Sequence, residues 1–574
     1  MLKQFYPFMK KYLKPTILAP LFIIGEVILE IQIPLLMSKI VDVGIKNMDV
    51  NYVVNTGFKM VFFALLALVC GALSARFASI AGMGFGSEVR KGVFDKIQSF
   101  SFANIDKFST ASLITRLTND ITHVQHAYMM IIRTMVRSPF MLVGAIIMAS
   151  KINAKLVLVF LTAVPILGIS LAIIAKTAFG RFGFMLKKLD FLNASIQENL
   201  IGVRVVKAFV RALHEKEKFA EANDELMRFS IRAEKVVICN APIMQLTMYS
   251  TIIAIMWFGG NMVVSGMMET GALISFISYV SQILMSLMMI SMMMVMVVLS
   301  RASIGRISEI LSEKPDINDD KADSSLLVKG GSVEFKNVSF KYNGSENDVL
   351  SGINLKINPG ETVGIIGGTG SAKTTLVQLI ARLYDVTDGE VLVGGRNVCD
   401  YTIENLRKSV AMVLQKNVLF SGSIKENLKW GDVSASDEEI IEACKNAAAH
   451  DFVTSFPDGY ETDLGQGGVN VSGGQKQRLC IARALIKKPK IIILDDSTSA
   501  VDTATDAKIR AALKEDLKGT TTIIIAQRIT SVCDSDKIIV LDDGKIDAIG
   551  THEELLENNE IYKEVYNSQQ KGVA

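Results

Sequence analysis

The sequence predicts a multidomain membrane protein in two parts: an all-α domain of six membrane spans, then an α/β domain organised around a phosphate-binding loop. Three observations carry this. Six long apolar runs fall within the first 300 of the 574 residues. Beyond residue 330, short β-branched runs alternate with helical patterns. A small-residue turn, Gly367 to Thr374, lies between such a strand and a helix.

The six runs lie near 16–37, 57–81, 130–150, 155–177, 240–264 and 271–299. Each approaches or exceeds the roughly 20 apolar residues that cross a bilayer. Lys10, Lys11 and Lys14 precede the first run, but no small-residue cleavage site follows, so a retained helix is expected rather than a signal peptide. The connections around 40–55, 151–154 and 265–270 are short. Segments 82–129 and 178–239 are long, polar and basic, with Arg90, Lys91, Arg116, Arg181, Lys187, Lys188, Arg204, Lys207 and Arg211. The excess of Lys and Arg places these segments, and both termini, in the cytoplasm of a multi-pass protein of the cell membrane. Their helical patterning predicts that the membrane helices run on past the bilayer, turn and return.

Within the spans, Glu26 and Glu30 lie one turn apart. Intramembrane carboxylates mark either a substrate pathway or a pairing between helices. The sixth span carries Met285, Met288, Met289, Met292, Met293, Met294 and Met296. Met is flexible and polarizable; it suits a cavity that accepts many shapes, and equally serves as packing between helices or against lipid.

From 312 to 330 the chain turns polar and reads as a linker, so the expected domains are 1–311 and 331–574. In the second domain, VEFKNVSF, ETVGIIG, KIIILDD, TTTIIIA and KIIVLDDGK read as strands of a largely buried sheet. Half of all residues are hydrophobic, and the surplus lies in the first domain. The net charge of +3 is too small to argue for a nucleic-acid partner. Cys70, Cys239, Cys399, Cys444, Cys480 and Cys533 are scattered without a CxxC pair, as expected of reduced, ordinary cysteines. No Cys or carboxylate cluster joins His123 and His126, so a metal centre is not expected there.

The strand ETVGIIG runs into Gly367-Gly368-Thr369-Gly370-Ser371-Ala372-Lys373-Thr374, followed by Thr375. Small residues let backbone N–H groups approach phosphate oxygens, and the next helix points its positive end at them. Lys373 is placed to hold the β- and γ-phosphates of a nucleotide, and Thr374 to ligate Mg²⁺. Ala372 stands where a glycine is usual; alanine tolerates a helical φ, so the loop is expected to survive this change. The strand IIILDD delivers Asp495 to the same ion. Between loop and strand, Val471-Ser472-Gly473-Gly474-Gln475 opens the helix KQRLCIARAL.

On this Ser-Gly-Gly-Gln, with the loop and strand in order around it, the sequence resembles ABC transporters of the exporter half-transporter type. The resemblance runs through essentially the whole chain. It implies an ATPase coupled to transport, with ATP and Mg²⁺, in which two ATPs are sandwiched between two such domains. Ser472, Gly473, Gly474 and Gln475 then close over ATP held by the partner. Tyr342 resembles the aromatic that stacks on adenine, and Gln415 the glutamine that senses Mg²⁺ and the attacking water. Ser499-Ala500-Val501-Asp502 resembles the loop linking the two ATP sites. TDLGQGG resembles the segment that touches coupling helices, which are themselves similar to 106–120 and 198–219, with Phe108, Leu113, Phe209 and Phe219 as apolar anchors.

Two departures stand out. The family's catalytic Glu is Asp496 here, and its switch His is Gln527. Asp is one methylene shorter, and a base must sit within hydrogen-bond reach of its water. Gln bonds phosphate but cannot acquire the charge of His. Both changes weaken hydrolysis at a site that still binds ATP through Lys373, Thr374 and Asp495. The pattern resembles the degenerate-site subunit of heterodimeric bacterial multidrug exporters. It implies a second half-transporter, a lipid bilayer and hydrophobic or amphipathic small molecules as partners, and no nucleic acid. The alternatives are a homodimeric lipid or peptide exporter and an ATP-gated, non-transporting regulator.

Overall fold

The computed structural model describes residues 2–320, 322–496, 502–516 and 519–571, and it resolves into two compact units. The first comprises Met1–Gln98 and Thr110–Glu313; the second comprises Ser99–Ser109 and Lys314–Ala574.

The first unit is helical. Six helices among the described residues are long and apolar enough to cross a membrane: Leu13–Ile45, Val50–Gln98, Thr110–Ile152, Val157–Ile201, Ala212–Val264 and Thr270–Met293. Four of the six exceed 40 residues, which extends them well past the roughly 30 Å of a hydrocarbon core. Small residues let them approach. Ala19, Ala78 and Ala81 are buried among the first three spans. A Cβ on Gly144 would meet the side chain of Ile31 at 2.4 Å, so close approach of the first and third spans depends on that glycine. Several polar groups inside are paired, as an apolar surround favours. Ser74 Oγ donates to the Ala19 carbonyl (2.9 Å), Tyr279 Oη to that of Ile31 (2.8 Å), and Ser275 to that of Pro34. In the third helix, buried Asp120 accepts from Ser303 (2.8 Å) and from Arg306, which lie past the sixth span in the same helix, Thr270–Ser312.

The second unit is α/β, with twelve short strands among the described residues. They are β1 Val333–Phe340, β2 Leu350–Ile357, β3 Thr362–Gly367, β4 Asp388–Val393, β5 Arg396–Asn397, β6 Val410–Val413, β7 Gly422–Ser423, β8 Asp463–Leu464, β9 Ile491–Asp495, β10 Thr521–Ile525, β11 Lys537–Asp542 and β12 Lys545–Gly550. The main sheet runs β12-β11-β3-β10-β9-β6 and is parallel except at the β12 edge. Every residue of β9 and β10 is buried, which is why Ile491–Asp495 and Thr521–Ile525 read as unbroken rather than alternating apolar runs. A second, antiparallel sheet runs β2-β1-β4-β5.

The register fixes the site. Ile525 pairs with Asp495 and with Ile365, and Val413 with Leu494. The carboxyl ends of β3, β6, β9 and β10 therefore lie at one edge of the sheet, where ligands of such folds gather.

Candidate functional site

Four strand ends supply this edge: β3 the phosphate loop, β6 Gln415, β9 Asp495 and Asp496, and β10 Gln527. The loop enters the helix Lys373–Ile380. Gly367 cannot carry a side chain, because a Cβ there would lie 2.1 Å from the Leu541 carbonyl oxygen and 2.6 Å from Ser371 Oγ. Gly370 adopts φ +88°. Gly368 and Thr369 are exposed at the loop's tip.

Ala372 corrects the expectation of a helical φ. It sits at φ +70°, ψ 22°, in the left-handed region, where a Cβ crowds the following carbonyl. The position needs what glycine supplies, and alanine holds it at about 1–2 kcal/mol of strain.

Lys373 Nζ donates to the carbonyls of Gly367 (2.9 Å) and Gly368 (2.7 Å) and to Ser371 Oγ (3.2 Å). Burial pushes its ammonium down in pKa, against the pull of Asp496 and Asp495. Thr374 Oγ1 donates to Asp495 Oδ1 (3.0 Å). Asp495 is buried, its Oδ2 has no hydrogen-bond partner, and desolvation pushes its carboxyl up. An orphaned buried carboxylate oxygen beside a threonine hydroxyl fits Mg²⁺, which takes one or two protein oxygens and fills its octahedron with phosphate oxygens and water. Among the described residues no cluster of three or more His, Cys, Asp or Glu forms an all-protein metal cage. When bound, such an ion neutralises phosphate charge.

Asp496 and Gln527 meet directly: Gln527 Nε2 donates to Asp496 Oδ2 at 2.8 Å. The Gln415 amide acts on the same carboxylate and favours its charged form. Burial pushes the Asp496 carboxyl up, opposed by these two amides and then by the charges of Lys373 and Arg528.

Tyr342 is half-buried, its hydroxyl 2.9 Å from Thr375 Oγ1. Its ring meets Phe340 (4.9 Å) and Tyr384 (5.3 Å) edge-on. The Thr375 hydroxyl is buried in this contact.

Ser472–Gln475 lie apart from the loop in sequence and open their own helix, Gly473–Ile486. Ser472 Oγ accepts from the Gln475 N–H (3.3 Å), and Gln475 Oε1 accepts from the Ser472 N–H (2.8 Å), a reciprocal cap. Ser472 and Gly473 are exposed at this end. Ser499, Ala500 and Val501 lie outside the described residues; the Asp502 side chain accepts from the Thr505 N–H (2.9 Å).

Three residues of this region escaped sequence reasoning. Buried Gln477, two positions past the Ser-Gly-Gly-Gln, donates to the Asp496 carbonyl (3.2 Å). Gln569 Nε2 donates to the Gln527 carbonyl (2.7 Å), and its Oε1 accepts from the Ile529 N–H (2.9 Å). Tyr384 donates to Asp106 (2.7 Å) and meets Phe102 edge-on at 6.0 Å, so Ser99–Ser109 packs beside Tyr342's own aromatic cluster. Each acts through a tertiary contact that no local pattern announces. Of the four apolar anchors, Phe108 and Leu113 are buried, whereas Phe209 and Phe219 are exposed.

In comparisons with known proteins, residues 16–287 match the family model of the ABC transporter transmembrane region, and residues 350–499 match the family model described as ABC transporter. An uncharacterized ABC transporter ATP-binding protein of Bacillus subtilis, YfiB, is 39% identical over 98% of this chain and 97% of its own. YgaD of the same organism, provisionally named a multidrug export ATP-binding/permease protein, is 32% identical over 99% of both chains. An ATP-dependent lipid A-core flippase of Syntrophus aciditrophicus is 32% identical over 86% of this chain and 82% of its own. The solved structure of a bacterial Atm1-family ABC exporter with ATP bound shares the fold, at TM-score 0.82 and 24% identity over 98% of each chain.

Proposed function

We propose, for a chain that belongs to the ABC transporter family and is built as an exporter half-transporter, that it pairs with a second, different half and contributes the weakly hydrolytic ATP site. One observation carries the reading: the 2.8 Å bond from Gln527 to Asp496. The residue at the base position is a shortened acid, and its carboxylate already accepts from the Gln527 amide, while the Gln415 amide also favours its charged form. Neither amide can take up or release a proton near neutral pH. A misplacement of about 1 Å costs a base on the order of 10²-fold.

The remaining parts are competent to bind. Lys373, Thr374 and Asp495 hold phosphates and Mg²⁺, the N–H groups of Gly367–Thr374 cradle phosphate oxygens, and Tyr342 offers its ring to adenine. Ser472, Gly473, Gly474 and Gln475 cap the ATP held by the partner. Closure of the two nucleotide domains over ATP, and reopening after hydrolysis at the partner's loop, then reorients the membrane spans.

The substrate class we infer is hydrophobic or amphipathic compounds. The exposed methionines of the sixth span and the names of the relatives YgaD and the lipid A-core flippase support this reading.

The test is ATPase activity of the purified chain alone and in a co-purified pair with a candidate second half. The reading expects slow turnover alone and fast turnover in the pair. Fast turnover by a verified homodimer overturns it in favour of a homodimeric exporter whose Asp496 is catalytic.

A further inference from the structure

The loop that carries Gln527 is held from outside its own strand. Gln527 and Arg528 are exposed and lie between the end of β10 and one short helical turn, Ile529–Ser531. Both flanks are anchored: the Ala526 N–H donates to the Ile365 carbonyl (3.3 Å), and Ser531 Oγ donates to Asp506 (3.0 Å). The stretch between them is gripped by one side chain. Gln569 Nε2 donates to the Gln527 carbonyl at 2.7 Å, and Gln569 Oε1 accepts from the Ile529 N–H at 2.9 Å, so its amide spans Arg528.

Gln569 belongs to the helix Glu560–Lys571. That helix is fixed by its inner face. Tyr562 is buried with its hydroxyl 2.7 Å from His552 Nδ1, while Ile561, Val565 and Tyr566 pack against the core. Gln569 comes one helical turn after Val565 and two after Tyr562, so it shares this face. An apolar side chain there would serve packing. An amide whose two ends match two main-chain groups fixes the place of one backbone segment instead. That segment sets the origin of the Gln527 side chain, whose Nε2 reaches Asp496 at 2.8 Å.

We propose that Gln569 is a positioning residue for the nucleotide site: it holds the Gln527 backbone so that the Gln527 amide stays on Asp496. The helix Glu560–Lys571 thereby acts on hydrolysis through Gln527. The proposal holds whichever half hydrolyses faster, because it concerns only how Gln527 is placed in this chain.

The test is a double-mutant cycle on the ATPase of the purified full chain. Gln569→Ala should lower kcat by about fivefold, a scale on which contacting residues couple, and leave KM for ATP within about twofold, since Lys373, Thr374 and Tyr342 are untouched. In a Gln527→Ala background the same change should alter kcat by no more than about 1.5-fold, because no amide is left to place. Gln569→Glu keeps the acceptor for Ile529 but sets a carboxylate against the Gln527 carbonyl, and should match Gln569→Ala. Asn567→Ala, at an exposed position of the same helix, should leave kcat as it was. A loss of folded protein lowers both backgrounds alike. Equal fold-changes for Gln569→Ala in the two backgrounds, or an unchanged kcat when Gln527 is present, overturn the proposal and leave Gln569 as a support for the loop alone. Fast turnover by an unmodified homodimer overturns the asymmetric reading instead, and the comparison between backgrounds still decides the role of Gln569.

Discussion

Gln527 donates to Asp496 across 2.8 Å, so the two positions at which the sequence departs from its family's pattern are partners of one another. A change at either is felt by the other. Contacting residues couple by roughly 0.5–3 kcal/mol, so their effects on rate do not simply add. Asp496→Glu together with Gln527→His should therefore raise the ATPase rate of the purified chain by at least about tenfold, more than the two single changes combined. Measured rates for the two singles and the double decide this. A product of single effects equal to the double would mean that the pair acts as two independent groups.

Ala372 stands at φ +70° with its side chain against the core of the second unit. Glycine removes about 1–2 kcal/mol of left-handed strain but loses a methyl contact and gains unfolded-state entropy of about 0.4–1 kcal/mol. Ala372→Gly should thus tighten ATP-analogue binding only modestly, by up to about fivefold. Ala372→Val puts a β-branched side chain in the same conformation, a genuine outlier, and should weaken binding by more than about tenfold. Titration with a non-hydrolysable ATP analogue reads both. Equal affinities for the alanine and valine forms would contradict the conformation described.

These positions show what the sequence could and could not convey. The strands β3, β9 and β10 were legible because both their faces are buried, which leaves uninterrupted apolar runs such as Ile491–Leu494. Lys373, Thr374 and Asp495 were legible because their chemistry needs fixed residue types at the ends of those runs. The left-handed turn at Ala372 was not legible, since φ is set by loop closure rather than by the alanine. Gln477, Gln569 and Tyr384 were hidden for a different reason: each is an ordinary polar or aromatic residue until the fold brings it to Asp496, Gln527 and Asp106. The ion pairs of Glu26 and Glu30 were half legible, through the two carboxylates; that Arg137 is the partner both share depends on packing.

The methionines of the sixth span divide by environment. Met285, Met289, Met292 and Met296 are exposed at helical spacing along one side, while Met293 is buried; the side chain of Met294 lies outside the described residues. Replacing the four exposed methionines with Leu should shift the range of transported dyes, because Leu is stiffer at similar volume. Met293→Leu is a volume-conserving core swap, costs less than about 1.5 kcal/mol, and should leave that range as it was. Transport across a panel of dyes of differing shape checks both. Identical ranges for the fourfold variant and the unmodified protein would assign the exposed methionines to lipid contact or packing.

The last prediction assigns opposite consequences to two motifs of one chain. Paired with an unmodified second half, Asp496→Asn should lower ATP turnover only modestly if, as proposed, its carboxylate belongs to the weakly hydrolytic site. Ser472→Arg and Gly474→Asp should nearly abolish turnover. On the proposed reading, the helix Gly473–Ile486 offers its first-turn N–H groups to phosphate only while that end stays open and uncharged. An arginine blocks the approach, and an aspartate repels phosphate. Losing one preorganised donor costs on the order of 10²–10³-fold in comparable sites. Ser472→Ala separates this from plain destabilisation. Ser472 Oγ caps the helix by accepting from Gln475 N–H, and removing a cap costs about 1 kcal/mol of stability. If Ser472→Ala loses far more activity than stability, the hydroxyl faces the nucleotide as well as the helix. Lys373→Ala should fall between the extremes, because it weakens ATP binding here and destabilises closure without removing the partner's chemistry. The measurements are the ATPase rate and thermal midpoint of each mixed pair. Should Asp496→Asn prove as damaging as Gly474→Asp, this chain's own loop is the hydrolytic one, and the asymmetric assembly is wrong.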